Sequence, residues 1–210
     1  MPQNGNVAFR ERAFGVDNAS MKVAINSIDW NGCSVTCTGS SSGSSGYDVY
    51  LFYSCAFLNG FNDAMIPHQS DIPSLFAFCI LDKVIFREGI VATNESFRGC
   101  TTQYIEYPST ITNVGRFFAN FRRDSGATNN SGCIVIKAVN PPATSSESVN
   151  VSYNRMPAHI YVPDNSVNAY KAASGQWANS SIQALITPMS QMSASELAMG
   201  TVTQADMDRV

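Results

Sequence analysis

A self-similarity at an offset of 21 residues constrains this chain more than any other feature of its sequence. Val84-Ile85-Phe86-Arg87-Glu88-Gly89-Ile90 aligns with Ile105-Glu106-Tyr107-Pro108-Ser109-Thr110-Ile111. The same offset places Phe76, Phe97 and Phe118 on one register and Cys79, Cys100 and Phe121 on a second, with Cys55 marking one more, irregular turn. A recurring unit of this length cannot hide its apolar groups alone, so neighbours must stack and share a core. Each unit offers a short strand with two inward residues (Val84 and Phe86, or Ile105 and Tyr107). A turn at Glu88-Gly89 or Pro108-Ser109 follows, then an inward aliphatic at Ile90 or Ile111, then a closing aromatic at Phe97 or Phe118. The cysteines on this register read as reduced, buried apolar fillers.

Two later segments continue the series with insertions. Cys133-Ile134-Val135-Ile136-Lys137 reads as a strand after a polar insertion from Asp124 to Gly132, and His159-Ile160-Tyr161-Val162-Pro163 as the last one. Asp164 or Asn165 is placed to cap a helix from Ser166 to about Ala173, which Gly175 ends. Phe97-Arg98-Gly99-Cys100, Tyr107-Pro108-Ser109-Thr110-Ile111-Thr112-Asn113-Val114-Gly115 and Ile136-Lys137-Ala138-Val139-Asn140-Pro141-Pro142 resemble the BspA-type leucine-rich-repeat family. The run from Ile160 to Trp177 resembles the C-terminal cap of such repeats in gut Bacteroidetes proteins. The resemblance spans roughly residues 65 to 190 and departs from the family at Arg87, usually Pro, and Asn94, usually Gly. It implies a β-rich solenoid used for adhesion or protein contact, with no catalytic residues to carry over.

The ends do not follow the repeat. Met21–Ile25 and Ser27–Trp30 alternate with period 2. Asn31-Gly32 is a strong hairpin signal because both residues tolerate positive φ, and Cys33–Cys37 reads as the return strand. Thr38 to Gly46 is a Gly/Ser/Thr loop, after which Tyr47–Tyr53 resumes strand character. The tail from Ser193 has a capping box at Ser193 and Glu196, but is too weakly amphipathic to hold a helix unaided; it either frays or orders on a partner as an anchor. The expected fold is therefore mostly β: a short leucine-rich-repeat solenoid with an antiparallel β N-terminal cap and a short helical C-terminal cap and tail. Its divisions are 1–58 as cap or anchor region, 59–190 as repeats with their cap, and 191–210 as a tail for assembly.

Charged residues make up only 14% of the chain and the net charge is −3. A surface this poor in charge must be covered by Ser, Thr, Asn and Gly, and it lacks the basic footprint of a nucleic-acid binder. Arg116, Arg122 and Arg123 form a small basic cluster that reads as a solvated loop edge. No run approaches the ~18 apolar residues of a membrane span. The start, Met1-Pro2-Gln3-Asn4-Gly5-Asn6, has neither the basic region nor the apolar core of a secretory signal, so either a signal has been trimmed or the protein is never exported by that route. Cys33 and Cys37 lack a second pair, and His68 and His159 stand far apart, so no metal site is expected. Gly39-Ser40-Ser41-Ser42-Gly43 satisfies a nucleophile-elbow pattern inside a Ser/Gly run where such matches arise by chance. His68 with Asp71, and His159 with Asp164, lack a nucleophile nearby in sequence. No cofactor fingerprint appears. The expectation is no enzyme and no cofactor.

Side chains alternating with the core residues would form the working surface. They are Lys83, Ile85, Arg87, Tyr104, Glu106, Val135, Lys137, His159 and Tyr161. This aromatic face of mixed charge suits a protein or glycan partner. Two functions fit. One is a structural or attachment component of a virion, such as a phage fibre protein, assembled as a homo-oligomer, a trimer for instance. The other is a secreted or surface-anchored bacterial adhesin.

Overall fold

Short runs of β-branched and aromatic residues, bounded by Pro, Gly and hydroxyl-rich turns, become short strands here. The computed structural model describes residues 6–10, 14–15, 23–25, 28–30, 33–38, 52–53, 55–57, 66, 70, 76–77, 79–81, 83–93, 97–98, 102–115, 132–144 and 156–210. In chain order the strands are β1 (Asn6–Arg10), β2 (Phe14–Gly15), β3 (Val23–Ile25), β4 (Ser34–Thr38), β5 (Phe52–Tyr53), β6 (Cys55–Phe57), β7 (Phe76–Ala77) and β8 (Lys83–Ile85). There follow β9 (Phe97–Arg98), β10 (Tyr104–Tyr107), β11 (Asn113–Gly115), β12 (Cys133–Ile136), β13 (Ala143–Thr144), β14 (His159–Val162) and β15 (Ile186–Pro188). The few helices are short and gathered at the C-terminal end: α1 (Val167–Ala172), α2 (Ser180–Gln183), α3 (Ala194–Leu197) and α4 (Gln204–Met207).

The centre is a five-stranded sheet in the order β15-β14-β12-β10-β8, and all four of its pairings are parallel. A four-stranded parallel sheet, β2-β5-β7-β9, and three two-stranded ladders accompany it. With short helices in the connection from β14 to β15 and after β15, the arrangement is α/β-like. The antiparallel cap and leucine-rich-repeat solenoid expected from the sequence are therefore corrected. The strands flanking Asn31-Gly32 do not pair with each other: β4 runs parallel to β1 (Asn6↔Ser34) and β3 parallel to β6 (Val23↔Cys55). The turn signal is local, and longer-range parallel partners win over it. Nor does one period govern the sheet. Lys83↔Tyr104 is a step of 21 residues, Tyr104↔Cys133 of 29, Cys133↔His159 of 26 and Ile160↔Ile186 of 26. The repeat read from the sequence holds over one step of this sheet only.

The aromatic register survives in part. Phe52 pairs with Phe76 and Phe76 with Phe97, and the rings of Phe52 and Phe76 stack at 5.4 Å. Phe118 lies outside the described residues. Phe86 stacks on Tyr107 at 5.3 Å on the inner side of the sheet. Val84, Ile105, Ile134, Ile136, Ile160 and Val162 belong to the same buried cluster, which Tyr170 and Trp177 close from the helical end. These two rings are fixed by their polar atoms: Tyr170 Oη donates to the Ala138 carbonyl (2.8 Å) and Trp177 Nε1 to that of Pro142 (2.8 Å). Cys33, Cys55, Cys79 and Cys133 are buried, which for Cys55 and Cys79 fits the expected filler role, and the Cys79 thiol donates to the Phe52 carbonyl at 3.4 Å.

The helix expected after Val162 is present, with a different start. A 3₁₀ turn at Asp164–Ser166 precedes α1, and no side chain caps either element. The Asp164 carboxylate instead accepts the Ser190 amide at 3.0 Å, which ties the start of the tail to this turn. Gly132, entering β12 at φ +79°, fits where a Cβ would strike the Gln103 backbone. Among the described residues no helix is long and apolar enough to cross a membrane.

Candidate functional site

In a strand, side chains alternate between faces, so the residues between the inner ones on β10, β12 and β14 point to the opposite side of the sheet. That side is not open to solvent. Tyr104, Cys133, Val135 and Tyr161 form a second buried cluster with Met189 and Met192, against which Ile85, Leu197, Met199, Val202 and Met207 pack. The tail returns from β15 across the sheet and covers it. All four residues of β10 and of β12 are buried for this reason.

A polar core lies within this cover. Glu106, on β10 between β12 and β8, is 1% exposed. Its carboxylate meets Lys137 Nζ at 2.9 Å and accepts the Tyr104 hydroxyl at 2.6 Å. From the tail, the Thr201 amide donates to it at 2.8 Å and the Thr201 hydroxyl donates as well. Lys137 Nζ in turn donates to the Thr201 carbonyl (3.1 Å) and hydroxyl (3.0 Å) and lies 3.3 Å from the Asp206 carboxylate. Arg209 Nη2 completes the charge balance 2.8 Å from Asp206. At the margins Lys83 Nζ donates to the Met199 carbonyl at 3.0 Å, and Tyr161 Oη donates to Glu196 at 3.1 Å. Gly200 passes so close that a Cβ there would overlap the Tyr104 hydroxyl and the Glu106 carboxylate.

The tail folds by the same groups that dock it. The box at Ser193 and Glu196 forms as expected, and a second one forms at Thr203 and Asp206. In each, the carboxylate accepts the N-cap amide and hydroxyl of its own helix while also holding a sheet side chain: Tyr161 for Glu196, Lys137 for Asp206. Helices of four residues cannot persist alone, so docking and helix formation are one event.

Of the nine residues expected to form an outward face, Tyr104, Glu106, Val135, Lys137 and Tyr161 are buried beneath the tail. Lys83, Ile85 and His159 are half-buried at its border, where His159 stacks on Tyr161 at 5.3 Å. Arg87 turns elsewhere and donates to the Ile66 carbonyl at 3.1 Å. The side chains opposite the inner cluster thus form an interface within the chain rather than an open face. Thr201, Asp206 and Gly200 were missed. The one available sign was a second Thr-x-x-Asp pattern ten residues after the first box, in a chain whose strands carry Glu106 and Lys137 on one face. His68, Asp71, Arg116, Arg122, Arg123 and the segment Gly39–Gly43 lie outside the described residues. His159 is not joined to Asp164, whose carboxylate holds Ser190.

The electrostatics follow from the enclosure. Burial alone would raise the Glu106 carboxyl, but hydrogen bonds from Thr201, Tyr104 and Lys137 outweigh it and hold the group below the usual carboxylate range. Burial likewise opposes ionisation of Asp206, yet Arg209, Thr203 and Lys137 bring it down to about 2. Burial, with Glu106 beside it, pushes the Tyr104 hydroxyl well up, and burial with Glu196 and Glu106 nearby raises the Cys133 thiol to about 12. Near neutral pH Glu106 and Asp206 are therefore charged, while Tyr104 and Cys133 keep their protons. Among the described residues no group of His, Cys, Asp and Glu is arranged to take a metal ion.

Family profiles, curated proteins and solved structures were compared with the chain, and none matches it.

Among the described residues, an edge of turns beside the sheet lies outside the tail's cover. The Ser109 amide and hydroxyl donate to Glu88 at 3.0 and 2.8 Å, and the Gly89 amide donates to Thr110 Oγ1 at 3.0 Å. Thr110 and Thr112 donate to the Ile90 and Val91 carbonyls. A hollow of about 400 Å³ next to this edge is lined by Ile111, Thr112, Ala138, Asn140, Pro141 and Arg209, among others.

Lys137→Met leaves Glu106 buried without its cation, and equilibrium urea unfolding at pH 7 is expected to show a loss of about 3–5 kcal/mol. Acid gives a second expectation. Glu106 and Asp206 ionise more readily folded than unfolded, so their contribution is complete above about pH 4, the unfolded carboxylate range. It falls away as the pH drops through the folded values, for Asp206 about 2. Urea midpoints measured from pH 6 to pH 2 should decline through that window, with a shallower decline in Asp206→Asn.

Proposed function

We propose that this protein is a non-enzymatic structural or attachment component of a virion, a phage fibre or particle-surface protein, that offers a rigid surface to a protein or glycan partner. The observation that carries the reading is the use made of its buried ionisable groups. Glu106, Lys137 and Asp206 hold one part of the chain on another and leave no unpaired acid or base among them. The outer sheet face is occupied by the tail, so the contact surface in this reading is the turn edge. There Glu88, Ser109, Thr110 and Thr112 are cross-linked to neighbouring turns. Hydroxyls already fixed in position lose little freedom on binding, which favours recognition of polar protein or sugar surfaces. Low overall charge fits such contacts and does not fit nucleic acid.

A secreted or cell-surface bacterial adhesin is the second reading, since the same edge would serve it. Particles purified by density gradient from a culture carrying the gene separate the two by quantitative mass spectrometry. The virion reading expects the protein in the particle fraction at a fixed ratio to the major capsid protein. Its absence there, together with its recovery from the bacterial envelope, would favour the adhesin and overturn the virion assignment.

A further inference from the structure

Beneath the tail an amine and a carboxylate from distant parts of the chain touch, with a second carboxylate on the same amine. Lys137 Nζ lies 2.9 Å from Glu106 Oε1 and 3.3 Å from Asp206 Oδ2. The side chains of Lys137, Glu106 and Asp206 are only 9%, 2% and 7% exposed. The tail that carries Asp206 also packs Met199, Val202 and Met207 onto the outer apolar cluster of Tyr104, Val135 and Tyr161. Little water reaches the contact.

The contact is more than holding the tail requires. Nζ has three hydrogens, and Glu106 with the Thr201 carbonyl (3.1 Å) and hydroxyl (3.0 Å) already offers three acceptors. Asp206 is satisfied without Lys137: Arg209 Nη2 donates to Oδ1 at 2.8 Å, and the Thr203 amide and hydroxyl donate to Oδ2 at 2.9 and 2.8 Å. What the fourth contact does supply is an amine held against a carboxyl, the reacting pair of an amide. Contact enforced by folding can be worth an effective concentration of about 10⁵ M or more. Glu106 is placed to take protons from Nζ, and Arg209 to hold negative charge as it develops on Oδ1.

We propose that Lys137 Nζ and the Asp206 carboxyl of the same chain condense to an amide, a covalent bond that ties the tail to the sheet. The ion pair described above is the reactant. It becomes reactive when the ammonium, through Glu106, passes one proton to Asp206 Oδ2 and leaves a neutral amine beside a neutral acid. That form is a minor one, since Asp206 is held ionised, so the bond forms slowly after folding. Nζ then attacks Cγ, and the C=O electron pair moves onto Oδ1 next to Arg209. A second proton passes from Nζ by way of Glu106 to Oδ2, the Cγ–Oδ2 bond breaks, and water leaves. The net change is ammonium plus carboxylate to amide plus one water, with no oxidant, reductant or activating group consumed. Glu106 ends as it began, bonded to Tyr104 and Thr201. Asp206 rather than Glu106 supplies the carbonyl, because Arg209 stands beside Asp206 as a second cation. The inference goes beyond the attachment reading and does not rest on it.

Intact-mass spectrometry of the full chain tests it, on protein freshly purified and on protein kept folded at neutral pH for several days. The wild type is expected to become lighter than its sequence mass by one water. A tryptic digest should then show the peptide containing Lys137 joined to the one containing Asp206. Lys137→Arg keeps a cation that cannot form the bond and should retain the full mass. Glu106→Gln, without the proton acceptor, should retain it over the same days. If these variants fold poorly, the digest of the wild type decides alone. A wild type that keeps its full mass throughout overturns the proposal. So does a water lost elsewhere, an amide on Glu106 included, or one lost equally in Lys137→Arg. None of these outcomes touches the particle assay above, so the two readings fail separately.

Discussion

A carboxylate on an interior strand of a parallel sheet dictates the outer half of this protein. Glu106 is flanked on β10 by residues of the inner core, so its own side chain must emerge on the opposite face, among Tyr104, Val135 and Tyr161. An ionised group there is costly unless paired and fully hydrogen-bonded. Lys137 on the next strand supplies the charge, but a lone pair on an apolar sheet face would still have unsatisfied positions. Thr201 and Asp206 fill them. The polar centre thus fixes which segment may cover the face and in what register, while the surrounding methionines and aromatics supply the apolar burial.

This division explains why the described residues form two apolar clusters separated by one layer of strands. The inner cluster is conventional, with Ile, Val and stacked aromatics locked by Tyr170 and Trp177. The outer one is conditional on the tail, whose one-turn helices have no stability of their own. Their caps are shared with the sheet, so Glu196 and Asp206 act twice, once within the helix and once across the interface. A segment built this way behaves more like a bound peptide than like a layer of the domain. The contact surface proposed above is the turn edge, where side-chain to backbone bonds hold successive turns in line.

Much of the inner half was legible in the sequence. The alternation of Val84 and Phe86, Ile105 and Tyr107, and the strands at Cys133 and His159 are all where pattern alone puts them, because burial of one face is a local signal with a period of two. The fold class was not. A 21-residue similarity between two segments was extended to a uniform solenoid, whereas the later connections differ in length and the sheet is covered on both sides. A two-residue turn signal such as Asn31-Gly32 does not decide pairing against parallel partners far away in sequence. The site was half legible: the outward row was identified, but nothing local says that Thr201 belongs to Glu106, since that pairing spans 95 positions. A weakly amphipathic tail offers no strong period, and its partner is visible only once the sheet exists.

Amide hydrogen exchange at Thr201 tests the central claim most directly, because that amide donates to the Glu106 carboxylate in the docked tail. The account predicts protection approaching that of the Lys137 amide, which bonds to Tyr107 across the sheet. Exchange of Thr201 at the rate of an unstructured peptide, with Lys137 still protected, would contradict it: the tail would then not be docked, and the outer face of the sheet would lack the cover on which the rest of the argument depends.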